Sequence, residues 1–190
     1  MKNLNYKTMR KLAVALLMFM TLSLNAQVKF LGIPVDGPKS EMIQNLIQKG
    51  YIFNKYKDYL MGEFNGNDVI IHVVEYKGKV GRIIVEDANP FNETDIIIRY
   101  NNLIEQFENN GKYIGENVKI DNKTNISYEM SHNHNRFEAV YYQKSEDDKD
   151  LNDKELDNRK VWFMIRKEGS SFKILIHYDN VSNIPNGEDL

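Results

Sequence analysis

The chain has 190 residues, with 25 Lys and Arg against 27 Asp and Glu, which gives a formal net charge of −2. This mild acidity argues against nucleic acid as a partner, because binding to phosphates needs a concentrated basic surface. The chain contains no Cys, which excludes disulfides, thiol catalysis, iron–sulfur clusters and zinc sites built on Cys.

Residues 1–26 have the layout of a secretory signal peptide. A basic start is followed by an apolar stretch over 12–24, and Ala26 provides a small residue at a cleavage point. The apolar stretch is shorter than the roughly 20 residues that a membrane-spanning helix needs; an uncleaved membrane anchor is the alternative. Cleavage would remove four basic residues and leave 21 Lys and Arg against 27 Asp and Glu, a net charge of −6. We therefore expect a periplasmic or secreted protein without a stable membrane span, in which residues 27–190 form one domain.

The first half of that domain contains a helix pattern followed by strand patterns. Apolar residues at a spacing of three to four predict an amphipathic helix over 38–48, and Gly50 lies where such a helix would end. Asn65-Gly66 readily adopts the positive φ angles of a tight hairpin turn. It joins runs of β-branched and aromatic residues, so we expect an antiparallel meander over 59–85.

The second half repeats this order of elements. Asn92 can cap a helix that ends near Asn109-Asn110-Gly111, with acidic residues in its first turn and an apolar stripe along one side. Four strands are predicted after it, over 126–131, 137–143, 160–167 and 172–178, with a turn at 132–135 between the first two. The sequence therefore predicts an α+β fold of two helix-then-strands units, with halves 27–90 and 91–182, in which the helices pack on an antiparallel sheet.

Two segments resemble a group of uncharacterised exported proteins common in gut Bacteroidetes: FLGIPVDGPKSEMIQNLIQKGY at 30–51 and GEFNGNDVIIHVV at 62–74. In that group an F-x-G-I-P-[IV]-D-G segment leads into a short helix, and a G-x-F-x-G strand follows. The order of helices and strands is similar to that of beta-lactamase-inhibitor-protein-like and outer-membrane-assembly-lipoprotein-like folds. The resemblance covers about the first half of the domain and carries no known catalytic residues. It implies an exported interaction or scaffold domain.

Histidines are the first candidates for metal binding or acid–base chemistry. His132 and His134 flank Asn133 at a spacing that could place both rings on one side of a strand, but the segment is polar and no third ligand can be named. His72 and His177 lie within apolar strands and are interpreted as ordinary strand residues. If they prove to be neighbours in a pocket, they would form a pH-sensitive pair.

The acidic segment 145–157 is the second candidate for metal binding. Asp148, Asp150 and Asn152 match the first three ligand positions of an EF-hand loop, but the positions that require Gly and Glu hold Asp153 and Arg159. An EF-hand is therefore excluded. A solvated loop and weak calcium binding by the clustered carboxylates both stay open.

Aromatic side chains suggest a binding surface. Tyr141 and Tyr142 are adjacent on one predicted strand, and Trp162 and Phe163 are adjacent on another, so each strand places aromatic residues on both of its faces. An aromatic face without a helix over it would suit protein or carbohydrate contact. The candidate surface comprises Tyr141, Tyr142, Trp162, His132 and His134.

The sequence as a whole predicts a binding function. We expect an exported, non-enzymatic domain that contacts a macromolecule in the cell envelope or outside the cell, with no catalytic, cofactor-binding or metal-binding residues. The alternative is a small metal-dependent enzyme or hydrolase that uses the region of His132 and His134.

Overall fold

A computed structural model describes residues 27–144, 156 and 158–185. The predicted signal peptide (1–26) and the acidic segment 145–157, except Leu156, lie outside the described residues. Among the described helices, none has the length and apolar character needed to cross a membrane.

Ten strands and three α-helices make up the described fold. A small hairpin precedes the rest and consists of β1 (Lys29–Phe30) and β2 (Ile33–Pro34). The helices are α1 (Lys39–Gln48), α2 (Glu93–Asn109) and α3 (Ile126–Ser131), and a short 3₁₀ helix covers Val181–Asn183. The remaining strands are β3 (Ile52–Asn54), β4 (Tyr59–Phe64), β5 (Asn67–Tyr76), β6 (Lys79–Asp87), β7 (Tyr113–Ile114), β8 (Glu138–Gln143), β9 (Lys160–Glu168) and β10 (Ser171–Asp179).

Strands β3 to β10 form one antiparallel sheet of eight strands, in the order β3-β4-β5-β6-β10-β9-β8-β7. The α+β class and the antiparallel sheet are thus confirmed. Neighbouring strands exchange backbone hydrogen bonds in a register that aligns apolar residues in rows across the sheet. One such row is Leu60, Ile71, Val85, Ile176, Phe163 and Ala139.

The helices pack on the face of the sheet that carries this row. Met42, Ile43 and Leu46 of α1 belong to the same buried cluster as the row, and so do Leu103 and Ile104 of α2. Burying this apolar surface supplies most of the stability of the fold.

A local signal explains where α2 begins. The side chain of Asn92 accepts a hydrogen bond of 2.9 Å from the backbone N–H of Asp95, the N-cap that the sequence predicts.

Arg99 of α2 reaches the sheet and forms a buried ion pair with Asp87, with 3.2 Å between Nη2 of Arg99 and Oδ1 of Asp87. This pair fixes α2 over the centre of the sheet.

The prediction of a strand over 126–131 is wrong, because this segment forms helix α3. The Asn125 side chain accepts a hydrogen bond of 2.8 Å from the backbone N–H of Tyr128 and so caps the helix, and Ile126 is fully buried beneath it. Apolar residues alternate over these six positions, which is typical of a strand but too short to distinguish it from a single helical turn. The turn at 132–135 therefore joins a helix to β8.

Candidate functional site

The second face of the sheet, here called the open face, is not covered by any helix of the described chain. Because side chains alternate along a strand, the residues between those of the helix-covered row point to this face. Across the central strands the open face carries Ile70, His72, Arg82, Ile84, Glu86, Leu175, His177, Asp179, Trp162, Met164, Val140 and Tyr142.

Trp162 and His177 form a stacked pair at the centre of the open face. They lie directly opposite each other on β9 and β10, and their rings are parallel within 6° with centroids 4.0 Å apart. The indole N–H of Trp162 donates a hydrogen bond of 2.8 Å to Asp179. Asp179 also accepts two hydrogen bonds from Arg82, at 2.5 Å from Nε and 2.8 Å from Nη2. Four side chains from three neighbouring strands therefore hold one another in place.

His177 is held as a neutral imidazole. It is 5% exposed, and neither ring nitrogen has a hydrogen-bond partner in the described chain. The pKa of His177 is lowered to about 4, mainly by burial and also by the positive charge of Arg82, while the negative charge of Asp179 acts in the opposite direction. A proton on this ring would have to enter an apolar environment without an acceptor. His177 is therefore not placed to exchange protons with a substrate.

Glu86 is the centre of a second charged cluster. Its carboxylate lies 2.8 Å from Nζ of Lys173 and 2.8 Å from Nη2 of Arg166, and Arg166 also contacts Glu168. The Nε2 atom of His72 is 3.9 Å from Glu86. Burial lowers the pKa of His72, and the negative charge of Glu86 acts against that shift. The charges in this cluster compensate one another within the face.

His72 and His177 are not direct neighbours. Both pair with Ile84 of β6, one from each side, so that about two strand spacings of 4.8 Å separate them. The structure thus places them in one row without bringing their rings into contact.

Apolar side chains occupy the space between the charged groups. Ile70, Ile84, Val140 and Met164 are half-buried. Towards the edge of the sheet the exposure rises, with Met61 at 38% and Ile52 at 67%. The last three residues in that direction, Ile52, Met61 and Ile70, pair directly across β3, β4 and β5. The open face therefore presents a partly exposed apolar strip beside charges that are already paired.

The structure places the members of the predicted binding surface at different positions. Trp162 and Tyr142 are half-buried and share the open face as diagonal neighbours on β9 and β8. Tyr141 does not belong to an exposed surface, because it points to the helix-covered face and is 0% exposed. Its ring stacks on Phe107 of α2 at 4.7 Å.

His132 and His134 lie apart from the sheet, in the turn between α3 and β8, and both are exposed. The ring of His132 stacks on Tyr128 at 4.6 Å. Glu129 accepts hydrogen bonds from the side chains of Asn133 and Asn135. In the part of the chain that the structure describes, no group of three or more His, Asp or Glu side chains is arranged to hold a metal ion.

Sequence reasoning missed the cluster around Asp179. Arg82 and Asp179 are charged residues in otherwise apolar strands, which is a signal that such side chains need partners. The partners could not be named, because β6 and β10 are separated by almost half of the chain and pair only through the topology of the sheet.

Comparison with protein-family models, with curated proteins and with solved structures gives no match. The resemblance to exported proteins of gut Bacteroidetes therefore stays a prediction, and any functional proposal depends on the geometry of this chain.

Proposed function

We propose that this chain is an exported, non-enzymatic binding domain that contacts another protein through the open face of its sheet, in the periplasm or outside the cell. The observation that carries the proposal is the strip of partly exposed apolar side chains on a face without a covering helix. Covering such a strip releases about 25 cal/mol for each Å² of apolar surface removed from water. A partner that covers Ile52, Met61 and Ile70 therefore gains binding free energy from the burial of apolar surface.

The charge pattern favours a protein partner over a small charged ligand. Arg82 is paired with Asp179, and Glu86 is paired with Lys173 and Arg166. Since these charges are compensated within the face, a partner needs to supply few counter-charges and contacts mainly apolar and aromatic surface. A mixture of Trp, Tyr, Met and Arg is typical of the central residues of protein interfaces.

The state of His177 supports a binding role. A general base needs an accessible nitrogen and a pKa near the working pH, whereas His177 is buried, lacks a hydrogen-bond partner among the described residues and has a pKa lowered to about 4. Its stack on Trp162 instead fixes the orientation of the indole. We interpret the pair as a rigid support for the interface.

We further propose that the fold consists of two helix-then-strands units. Helix α1 is followed by β3 to β6, and α2 is followed by β7 to β10, with α3 inserted after β7. The order of the sheet is symmetric, because the last strands of both units, β6 and β10, lie side by side and the first strands, β3 and β7, form the two edges. In this interpretation the open face is formed jointly by both units.

Site-specific photo-cross-linking in the producing cells tests the interface. The photoreactive amino acid p-benzoylphenylalanine is incorporated in place of Met61 or Met164 on the open face, and in place of Ile98 as the control. Ile98 is exposed on the solvent side of α2, so it matches the test positions in apolar character. We expect one cross-linked product of discrete mass from each open-face position and none from the control.

Three results would contradict the proposed interface: the same product from all three positions, no product from the open face, or a product that contains only a second copy of this chain.

The export part of the proposal is tested separately by mass spectrometry of the N-terminus. We expect the protein in the envelope or medium to begin at Gln27, and protein retained in the cytoplasm with Met1 attached would contradict export.

A further inference from the structure

A cavity on the helix-covered side of the sheet is separate from the open face. It has a volume of about 540 Å³ and lies between the tip of the β1–β2 hairpin and the strands β7 and β8. A second cavity of about 350 Å³ adjoins it and shares Leu31, Phe64, Asn110 and Tyr113 with it. Sites for small molecules typically measure about 300–1,000 Å³. The larger cavity, here called the lysine cavity, is therefore large enough for a small organic ligand.

Three lysines line the lysine cavity, and none of its lining residues within 27–144 and 158–185 is acidic, although Glu63 lines the adjoining cavity. The backbone brings them together from three segments. The N–H of Lys144 donates a 2.8 Å hydrogen bond to the carbonyl oxygen of Lys112. The side chain of Gln143 binds both the N–H and the carbonyl oxygen of Lys29, at 2.7 and 2.6 Å.

Among the described residues, these three lysines have no acidic partner. Within the described part of the chain, Lys29, Lys112 and Lys144 form no ion pair, although acidic residues outnumber basic ones in the sequence. Gathering like charges in one place is unfavourable unless an opposite charge joins them. An anionic group would provide that charge.

The floor of the lysine cavity is aromatic. Phe64, Tyr113 and Tyr178 line it, and Phe30 packs from the core against Phe64 at 5.5 Å and against Tyr178 at 4.9 Å between ring centroids. The tyrosine hydroxyl groups of this floor already form hydrogen bonds, since Tyr113 bonds to both Tyr178 and Gln143. Tyr178 is 3% exposed, so the ring surface that a ligand can contact comes from the half-buried Phe64 and Tyr113, and the lysines offer charge.

The hairpin tip contributes an apolar side chain under backbone strain. Leu31 has a φ of +53°, a conformation that is unfavourable for a bulky residue, and its side chain is 36% exposed where the two cavities meet. This φ and the φ of +82° at Gly32 are those of the two-residue turn that joins β1 and β2. Leu31 is thus placed to cover the apolar part of a bound molecule.

We propose that the lysine cavity binds a small amphipathic anion, a molecule with an apolar body and one carboxylate or sulfonate group. The apolar body contacts the aromatic floor and Leu31, and the anionic group lies among the three lysines. The inference does not depend on the proposed function of the open face, because the two sites are on opposite sides of the sheet.

The test compares two fluorescent probes with the same apolar body. The anion 8-anilinonaphthalene-1-sulfonate has the required chemistry, and N-phenyl-1-naphthylamine lacks only the sulfonate. We expect the purified protein to bind one anion, with an affinity that falls about tenfold when salt rises from about 0.02 to about 0.5 M. The neutral probe should bind more weakly and without dependence on salt. Dodecanoate or 1-naphthoate, two carboxylates with an apolar body, should displace the anion, and displacement by neither would contradict the proposed class of ligand.

Variants assign the binding to the cavity. The triple variant K29Q/K112Q/K144Q should bind the sulfonate about tenfold more weakly or worse, and the matched variant K49Q/K55Q/K123Q, which removes three exposed lysines elsewhere, should bind within about twofold of the original protein. Equal affinities for the two probes, or an unchanged affinity in the first triple variant, would overturn the proposal. If that variant does not fold, the probe comparison and the salt dependence of the original protein decide the question.

Discussion

Replacement of His177 by Phe should remove a large part of the pH dependence of stability. Phe retains a flat ring that can stack on Trp162, and it removes two nitrogens that have no hydrogen-bond partner in the described chain. Since buried polar atoms without partners are costly, we expect His177→Phe to be at least as stable as the original protein at pH 7.5.

The size of the stability loss at low pH follows from the pKa of His177. Its pKa is about 4 in the folded protein, against a reference value of 6.5. Because the unfolded chain takes up the proton first, stability is full above pH 6.5 and is lost as the pH falls towards 4. One pKa unit corresponds to 1.36 kcal/mol, so the loss due to this residue reaches about 2 kcal/mol at pH 5 and about 3 kcal/mol at pH 4.

Urea unfolding at pH 7.5 and pH 5, followed by circular dichroism, measures the effect. The original protein should lose about 2 kcal/mol more than His177→Phe between these two pH values. Ile84→Val on the same face is the control, because a lost methylene destabilises by about 0.5–1.5 kcal/mol independently of pH. If His177→Phe has the same pH dependence as the original protein, His177 is not buried as a neutral ring and the reasoning is wrong.

Three further predictions test the packing of both faces. Asp179→Asn should lower the free energy of unfolding by urea by about 2–3 kcal/mol, because Arg82 loses its counter-charge. It should also shift the fluorescence of Trp162, the only tryptophan in the chain, because the indole N–H bonds to Asp179. Unchanged stability and emission would count against the cluster. Tyr141→Ala should cost about 3–5 kcal/mol, whereas Tyr142→Ala should cost about 1 kcal/mol or less, and equal costs would refute the assigned faces of β8. Asn92→Ala should lower the free energy of unfolding by about 1 kcal/mol through loss of the N-cap, and no loss would show that the cap does not contribute.

The sequence predicted those parts of the fold that depend on local signals. The spacing of apolar residues and the cap at Asn92 located α1 and α2, and Asn65-Gly66 located the turn between β4 and β5. Each of these signals lies within a few residues of the element that it specifies. Helix α3 was missed because six alternating residues do not carry enough periodicity to decide between a turn of helix and a strand.

Features that depend on pairing between distant strands could not be predicted. Alternation indicates that Tyr141 and Tyr142 point to opposite faces, but only the order of the sheet shows that Tyr141 is the buried one. The contact of Asp179 with Arg82 likewise requires β10 to lie beside β6. The candidate site is built almost entirely from such contacts. Its residues could therefore be identified only from the structure.

Oxidative footprinting of methionines in the producing cells tests most directly whether the open face is an interface. Hydroxyl radicals modify Met61 and Met164 on the open face and Met130, a half-buried methionine of α3, in intact cells and in the purified protein. Mass spectrometry then compares the rates of modification. We expect Met61 and Met164 to be oxidised several-fold more slowly in cells than after purification, with no change at Met130. Equal rates for all three residues in both samples would contradict a partner on the open face.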